Sequence, residues 1–565
     1  MKVIIIGAGI AGLAAATLLS ECKNVDVTIY EKSNIIGGQI ASQYNGTCYV
    51  EYSWRVFGNS YYNLFHIINK LNILENFKPI ISPCYVNNET TSSANLSVFT
   101  QLCYFLQNSN NGDITKLLNL IIQSKNRNIN EYDTVGALDF FNDSPIIKAI
   151  IGPFLGMDAR YVSLSGVLKN LYSVSDNNKN PFVNETMITK LPTQQALCDY
   201  WEKHLINNKV NIIKNAVLEN IIYNDKTNSI ESIVVNNKVE NADEYIFACS
   251  IEPLLKIINK NNILMKIPTL QKMINLTNGL QLYFTINLYF SEKVNETNEC
   301  SEIVILDMSW QPIIQKKRLW DKNILQNCKI KYSNKQIVDV WNVGFIDNFK
   351  GKYNNKIVSE CSLDEAVIEG VLQIKNSEYI KTLFNEGKQF EDLLIGIDYW
   401  YQFKNDENGK IIAENPKFSI NKKIIPYMPS NHNDDMPENM HLAGYYVNST
   451  MGGVSMEAST ETGLIASKYI MKKHNLMGNI NDDILPIIHN NESFTTILKP
   501  LNKIDEILYD LKLKSCVEYV NPFIIIVIYI TIVLIIIYYI IYALFNVKFA
   551  YNYLQKFVAL NKIKS

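Results

Sequence analysis

Three glycines open the chain in a pattern that can hold a phosphate. In KVIIIGAGIAGLAAATLL, Gly7, Gly9 and Gly12 follow an apolar run with strand character (Val3–Ile6) and begin an apolar helical run (Ile10–Leu19). The first glycine permits a tight turn and the second lets backbone approach a pyrophosphate. The third allows helix and strand to pack closely, while the helix N-terminus, with Ala11 in its first turn, offers N–H donors to the phosphates. Glu31 ends the next strand-like run (Val25–Tyr30), where a carboxylate accepts hydrogen bonds from ribose hydroxyls, and Lys32 stands beside it. The spacing predicts a dinucleotide site. A secretory signal explains the same residues less well, because the glycines interrupt the apolar stretch and no small-residue cleavage pattern follows.

Four later segments narrow the dinucleotide. Gly37-Gly38 follow Glu31, and the run EYSWRVFGNSYYN covers Glu51–Asn63. Short strands over Asn211–Asn236 precede ADEYIFACS, and NMHLAGYYVNSTMGGVSMEASTETGLIASKYI covers Asn439–Ile470. Together these resemble the flavin-containing amine oxidase and phytoene (carotene) desaturase superfamily, over roughly residues 1–85, 205–255 and 425–475, with a shorter echo at Asp398–Phe403. The resemblance implies non-covalently bound FAD. It places Gly38 and Gln39 against the inner part of the cofactor, with Gln39 standing where the family has a basic residue. It sets the backbone of Val217 at the adenine edge and returns the chain to the dinucleotide domain at Ala248–Ser250. Gly444 and the helix start at Ser455, Met456 and Glu457 then face the flavin, where N–H groups and a helix dipole can stabilise charge on the reduced ring. Tyr445 replaces the family's acid after Gly444. No general base or nucleophile stands out. Arg55, in the place of the family's histidine, and Tyr445 are the candidates near the reacting end, with a plain structural loop as the alternative for Glu51–Asn63.

Six histidines form no HxxxH pair and have no cysteine at ligand spacing, so no metal site is expected. Ten cysteines without a CxxC suggest isolated reduced thiols and a cytosol-facing protein. Fifty-three Lys and Arg against 55 Asp and Glu give a formal charge of -2, which argues against a nucleic-acid partner. With 47% apolar and 19% charged residues, the 565-residue chain has material for two or three packing units.

The elements that must position these residues follow. The expected fold is α/β. A discontinuous Rossmann-like FAD-binding domain is assembled from 1–85, 205–255 and 425–475, and an α+β substrate domain from 86–204 and 256–424. A connector spans 476–521, with amphipathic character at Ile504–Leu513. Pro522–Phe545 carries no charge and no glycine. Its 24 residues as a helix would rise about 36 Å, enough to cross a membrane, and a short tail, 546–565, follows. The expected protein is a tail-anchored FAD-dependent oxidoreductase that transfers hydride from an amine or a lipid-like substrate to flavin N5. A catalytically inactive flavin-binding membrane scaffold and an NAD-only dehydrogenase are the alternatives.

Overall fold

The computed structural model describes residues 1–52, 55–80, 84–86, 91–93, 111–142, 161–174, 180–294, 302–305, 308–316, 320–321, 324–325, 327–328, 335–347, 349–384, 387–451, 455–476 and 499–562. Ser53, assigned above to the Glu51–Asn63 run, lies outside them. Met1–Asn108 and Ile129–Phe494 form one compact unit; Ser109–Asn128 and Thr495–Ser565 form another.

In the first unit, β1 (Lys2–Ile6), β2 (Asp26–Tyr30), β3 (Asn211–Ile213), β4 (Glu244–Phe247) and β5 (Met440–Leu442) make a parallel sheet in the order β5-β4-β1-β2-β3. The central strands read as unbroken apolar runs because both faces are covered. Val3 pairs with Val27 on one side and Glu244 on the other. One covering layer is α1 (Ile10–Leu19), whose residues are all buried. It lies against α2 (Tyr62–Lys70) and α3 (Met456–Lys473) in one apolar cluster. Ser467 Oγ donates to the carbonyl of Ala15 at 3.0 Å, joining α3 to α1. Three distant stretches of sequence thus build one nucleotide-type layer.

A second, mainly antiparallel sheet has seven strands. Its order is Leu394–Tyr399, Tyr283–Phe290, Asp339–Ile346, Ile313–Lys316, Glu302–Ile305, Cys84–Val86, Thr91–Ser93. Tyr283–Phe290 and Asp339–Ile346 are buried along their whole length and seed a separate aromatic core.

The expectation of isolated thiols is corrected at one pair: Cys48 is bonded to Cys328, 280 residues away. The turn after Ser42–Tyr44 drops Cys48 into a small apolar cluster with Tyr289, Leu325 and Val340, which carries Cys328 to it. Among the described residues, Cys22, Cys198, Cys249, Cys361 and Cys516 are free.

The second unit is helical. It contains Asn111–Ile122, α4 (Lys499–Asp510) and α5 (Pro522–Lys562). Residues 109–128, which the sequence placed with the substrate domain, pack here with the C-terminal segment. Helix runs on through most of the expected short tail. Within α5, Pro522–Tyr542 is long and apolar enough to cross a membrane, with mean hydropathy 3.2 and none of it buried.

Candidate cofactor and active site

A cleft of ≈ 350 Å³ opens above the C-terminal ends of β1 and β4. That volume falls in the range of ligand pockets. At its floor, Gly7 turns with φ +105° and packs so closely on the next crossing that a Cβ would sit 2.8 Å from the carbonyl oxygen of Ala248. Gly12 is equally filled: its Cβ would lie 2.0 Å from the carbonyl oxygen of Gly7. Gly9 differs. It is the N-cap of α1 in extended conformation, and a Cβ there meets nothing within 4 Å. The open space lies at the end of α1, where first-turn N–H groups have no partner inside the helix.

Glu31 closes one end. Its Oε2 accepts the N–H of Ala8 at 2.7 Å and its Oε1 the N–H of Ser33 at 2.8 Å. The carboxylate is thereby fixed, and each oxygen keeps a lone pair for a sugar hydroxyl. Lys32 and Val217 line the cleft nearby. The backbone of Val217 is already engaged: its N–H donates to Asn236 Oδ1 at 2.9 Å, and its carbonyl accepts from Asn236 N–H at 3.1 Å. An adenine edge there would meet the remaining carbonyl lone pair, or the half-exposed side chain.

Gly38, Gln39, Gly444, Ser455 and Met456 line the other end, so the amino-terminal glycine turn and the start of α3 share one cleft. Gly38 and Gly444 take φ of +57° and +125°, which favour glycine. Ser455 caps α3, its Oγ accepting the N–H of Ala458 at 3.0 Å. The N–H groups of the following residues stay directed at the cleft with the positive end of the helix dipole. Gln39 turns away, donating through Nε2 to the carbonyl of Pro416 at 3.2 Å. The guanidinium of Arg55, buried, donates to the backbone carbonyl of Gln39 and brings a cation to the same wall. Tyr445 lines the cleft with its ring 5.3 Å from Phe418, and burial pushes its phenol up to about 12.

Two of the residues assigned to cofactor contact do not line the cleft. Gly12 serves packing, as above. Glu457 points the other way: it is 4 % exposed, and its carboxylate accepts from Asn63 N–H (2.9 Å), Asn63 Nδ2 (2.9 Å) and Leu64 N–H (3.0 Å). It therefore caps α2 and locks that helix to α3. Burial raises this carboxyl to about 7 against the pull of its three donors. Its folded value exceeds the unfolded value of 4.5, so its share of stability is full below pH 4.5 and is lost as pH rises to 7. The stability difference between the native protein and Glu457→Gln, followed by urea unfolding, should change by on the order of 3 kcal/mol across that window. A flat difference would show that the carboxyl stays ionised.

One lining residue, Lys417, had no sequence signal. Lys417, between Pro416 and Phe418, has its Nζ 4.6 Å from the ring centroid of Tyr283; burial and Arg55 lower it to about 8. Tyr52 and Tyr61, within the Glu51–Asn63 run, also line the cleft.

Comparison with known proteins bears on the fold. Residues 5–71 match the model for an NAD(P)-binding Rossmann-like domain. A zeta-carotene desaturase from Synechocystis sp. is 37% identical over 79 residues, 14% of this chain and 16% of that protein. The chain therefore aligns with only about a sixth of that curated relative's length. Solved structures match far more of it. A redesigned putrescine oxidase superposes with TM-score 0.59 at 13% identity, over 84% of this chain and 99% of that one. The chain shares the fold of that solved structure. Cyclohexylamine oxidase from Brevibacterium oxydans shares it, with TM-score 0.56 at 14% identity, again over 84% and 99%.

Proposed function

We propose that this protein is an FAD-dependent oxidoreductase, anchored to a membrane by α5, that oxidises a neutral, lipid-like substrate. The observation that carries the reading is the single cleft into which the α1 N-terminus, Glu31 and the α3 N-terminus converge. The residues fit the cofactor. The open space at Gly9 suits a diphosphate, Glu31 suits a ribose, and the helix start at Ser455–Met456 suits a ring that gains negative charge. Bound there, FAD would supply a hydride acceptor. The chain's own residues would orient the substrate and exclude water: Tyr52, Tyr61 and Tyr445 wall the groove, with Arg55 and Lys417 beside them. The carboxylate among the described lining residues, Glu31, is already committed to Ala8 and Ser33. An ammonium substrate would find in Glu31 a carboxylate already held by backbone donors, whereas an uncharged hydrocarbon meets the aromatic surface of Tyr52, Tyr61 and Tyr445. This favours the lipid-like substrate over the amine.

The test is a visible spectrum of the full chain purified in detergent. A yellow protein, or a colourless one that takes up added FAD, supports the proposal, and acid precipitation should release the flavin into solution. A colourless chain that ignores FAD overturns it. Reduction of bound flavin by a polyprenoid but not by a polyamine or a monoamine supports the substrate class, and the reverse order overturns that part alone.

A further inference from the structure

Helix α4 is built inside out. Its inward side is polar. Asp505, with no exposed surface, accepts from Arg127 Nε at 3.0 Å and from the N–H of Ser124 at 2.7 Å. Asn502 Nδ2 donates to the carbonyls of Ile121, Ile122 and Gln123 at 2.7, 3.0 and 3.0 Å, and the Arg127 guanidinium stacks 5.4 Å from the centroid of Tyr509. At 100° per residue, Asn502, Asp505 and Tyr509 share one side, and Ile504, Ile507 and Leu511 share the opposite one. Those three apolar side chains are 52%, 56% and 63% exposed. A helix on a water-facing surface has the reverse arrangement.

We propose that the Ile504–Ile507–Leu511 face of α4 lies in the headgroup layer of a bilayer, with the same helical unit that carries the span. The occupant is a lipid surface because the apolar face does not stop at α4. Exposed Leu513, Tyr519 and Val520 continue it to Pro522, where the largely exposed apolar stretch Pro522–Tyr542 begins. Exposed Lys503, Lys512 and Lys514 flank the face, as cations do beside anionic headgroups. Arg127 and Asp505 then have a defined role. They hold the internal segment 109–128 to α4, so that a segment more than 370 residues upstream of α4 is seated at the same surface. The proposal rests on α5 spanning a membrane.

The test uses the full chain in nanodiscs of phosphatidylcholine with phosphatidylserine. A photoreactive diazirine side chain replaces Ile507, Ile535 or, as a water-exposed control, Val239. Lipid adducts at 507 and 535 on the order of tenfold above those at 239 are expected for an interfacial helix beside a span. Adducts at 535 but not at 507 overturn the interfacial placement and leave the span intact. No adducts at 535 overturn the span on which it rests. A protein adduct at 507 in place of lipid overturns the proposal in favour of a protein partner or a second copy.

Discussion

Gly9→Val is expected to remove FAD binding while leaving the fold in place. Gly9 sits at φ -76° and ψ 179°, a conformation open to any residue, and its Cβ would meet no protein atom within 4 Å. The thermal midpoint should therefore stay close to that of the unaltered chain. The branched side chain, however, would occupy the space at the first turn of α1 that a diphosphate must enter. A loss of at least about 100-fold in FAD affinity, close to 2.7 kcal/mol, is expected from flavin fluorescence titration. Gly463→Ala supplies the opposite result. Its Cβ would stand 2.2 Å from the carbonyl oxygen of Ala11, so α1 and α3 must move apart. Overpacking of this kind costs about 1–3 kcal/mol or more, so a lowered midpoint or loss of soluble protein should precede any change in ligand affinity. Tight FAD binding by Gly9→Val, or an unaltered midpoint for Gly463→Ala, would reject this division of labour between the two glycines.

The difference between those glycines shows what local sequence carries and what it omits. The strand, glycine turn and helix at the amino terminus were legible because turn, approach and packing all act within a dozen residues. Glu31 and the Ser455 helix start were legible for the same reason, each being fixed by its place at the end of one strand or the beginning of one helix. The side chain of Glu457 was not legible, because a helix start fixes backbone direction but not where each side chain goes. One step of 100° beyond Met456 carries its carboxylate from the cleft to Asn63, nearly 400 residues away in sequence. Lys417 comes to the cleft by tertiary crossing and leaves no periodic mark. The Cys48–Cys328 pair was hidden because ten cysteines admit many pairings and spacing does not choose among them. The Arg127–Asp505 pair was hidden as well, since neither residue has a local neighbour that demands the other.

A similar hidden convergence controls stability at the far end of the first sheet. Glu244, at the start of β4 and 1% exposed, accepts from His441 Nε2 at 2.7 Å, from His474 Nε2 at 2.6 Å and from Lys473 Nζ at 2.6 Å. The sequence showed only unrelated histidines, yet β5 and the last turn of α3 deliver both of these to one carboxylate. Glu244→Ala should cost about 3–5 kcal/mol at pH 7, because it leaves buried donors and a cationic helix end without their acceptor. The pH dependence has a definite sign. Although burial alone would raise it, the donors hold Glu244 down to about 2, below its unfolded 4.5. Its contribution is therefore present above pH 4.5 and is lost as pH falls toward 2. His441 acts in the same direction, because burial lowers its affinity for a proton and the unfolded chain protonates first. Its Nδ1 has no protein partner, which fits a neutral ring whose Nε2–H donates to Glu244. In urea unfolding the gap between the native chain and Glu244→Ala should thus narrow as pH falls below 4.5. This window lies below the one assigned to Glu457, whose loss acts with the opposite sign, so the two carboxylates can be separated by their variants. Equal stability of native protein and Glu244→Ala at pH 7 would mean that the three donors find other acceptors, and the cluster would then not be what ties α3 to the sheet.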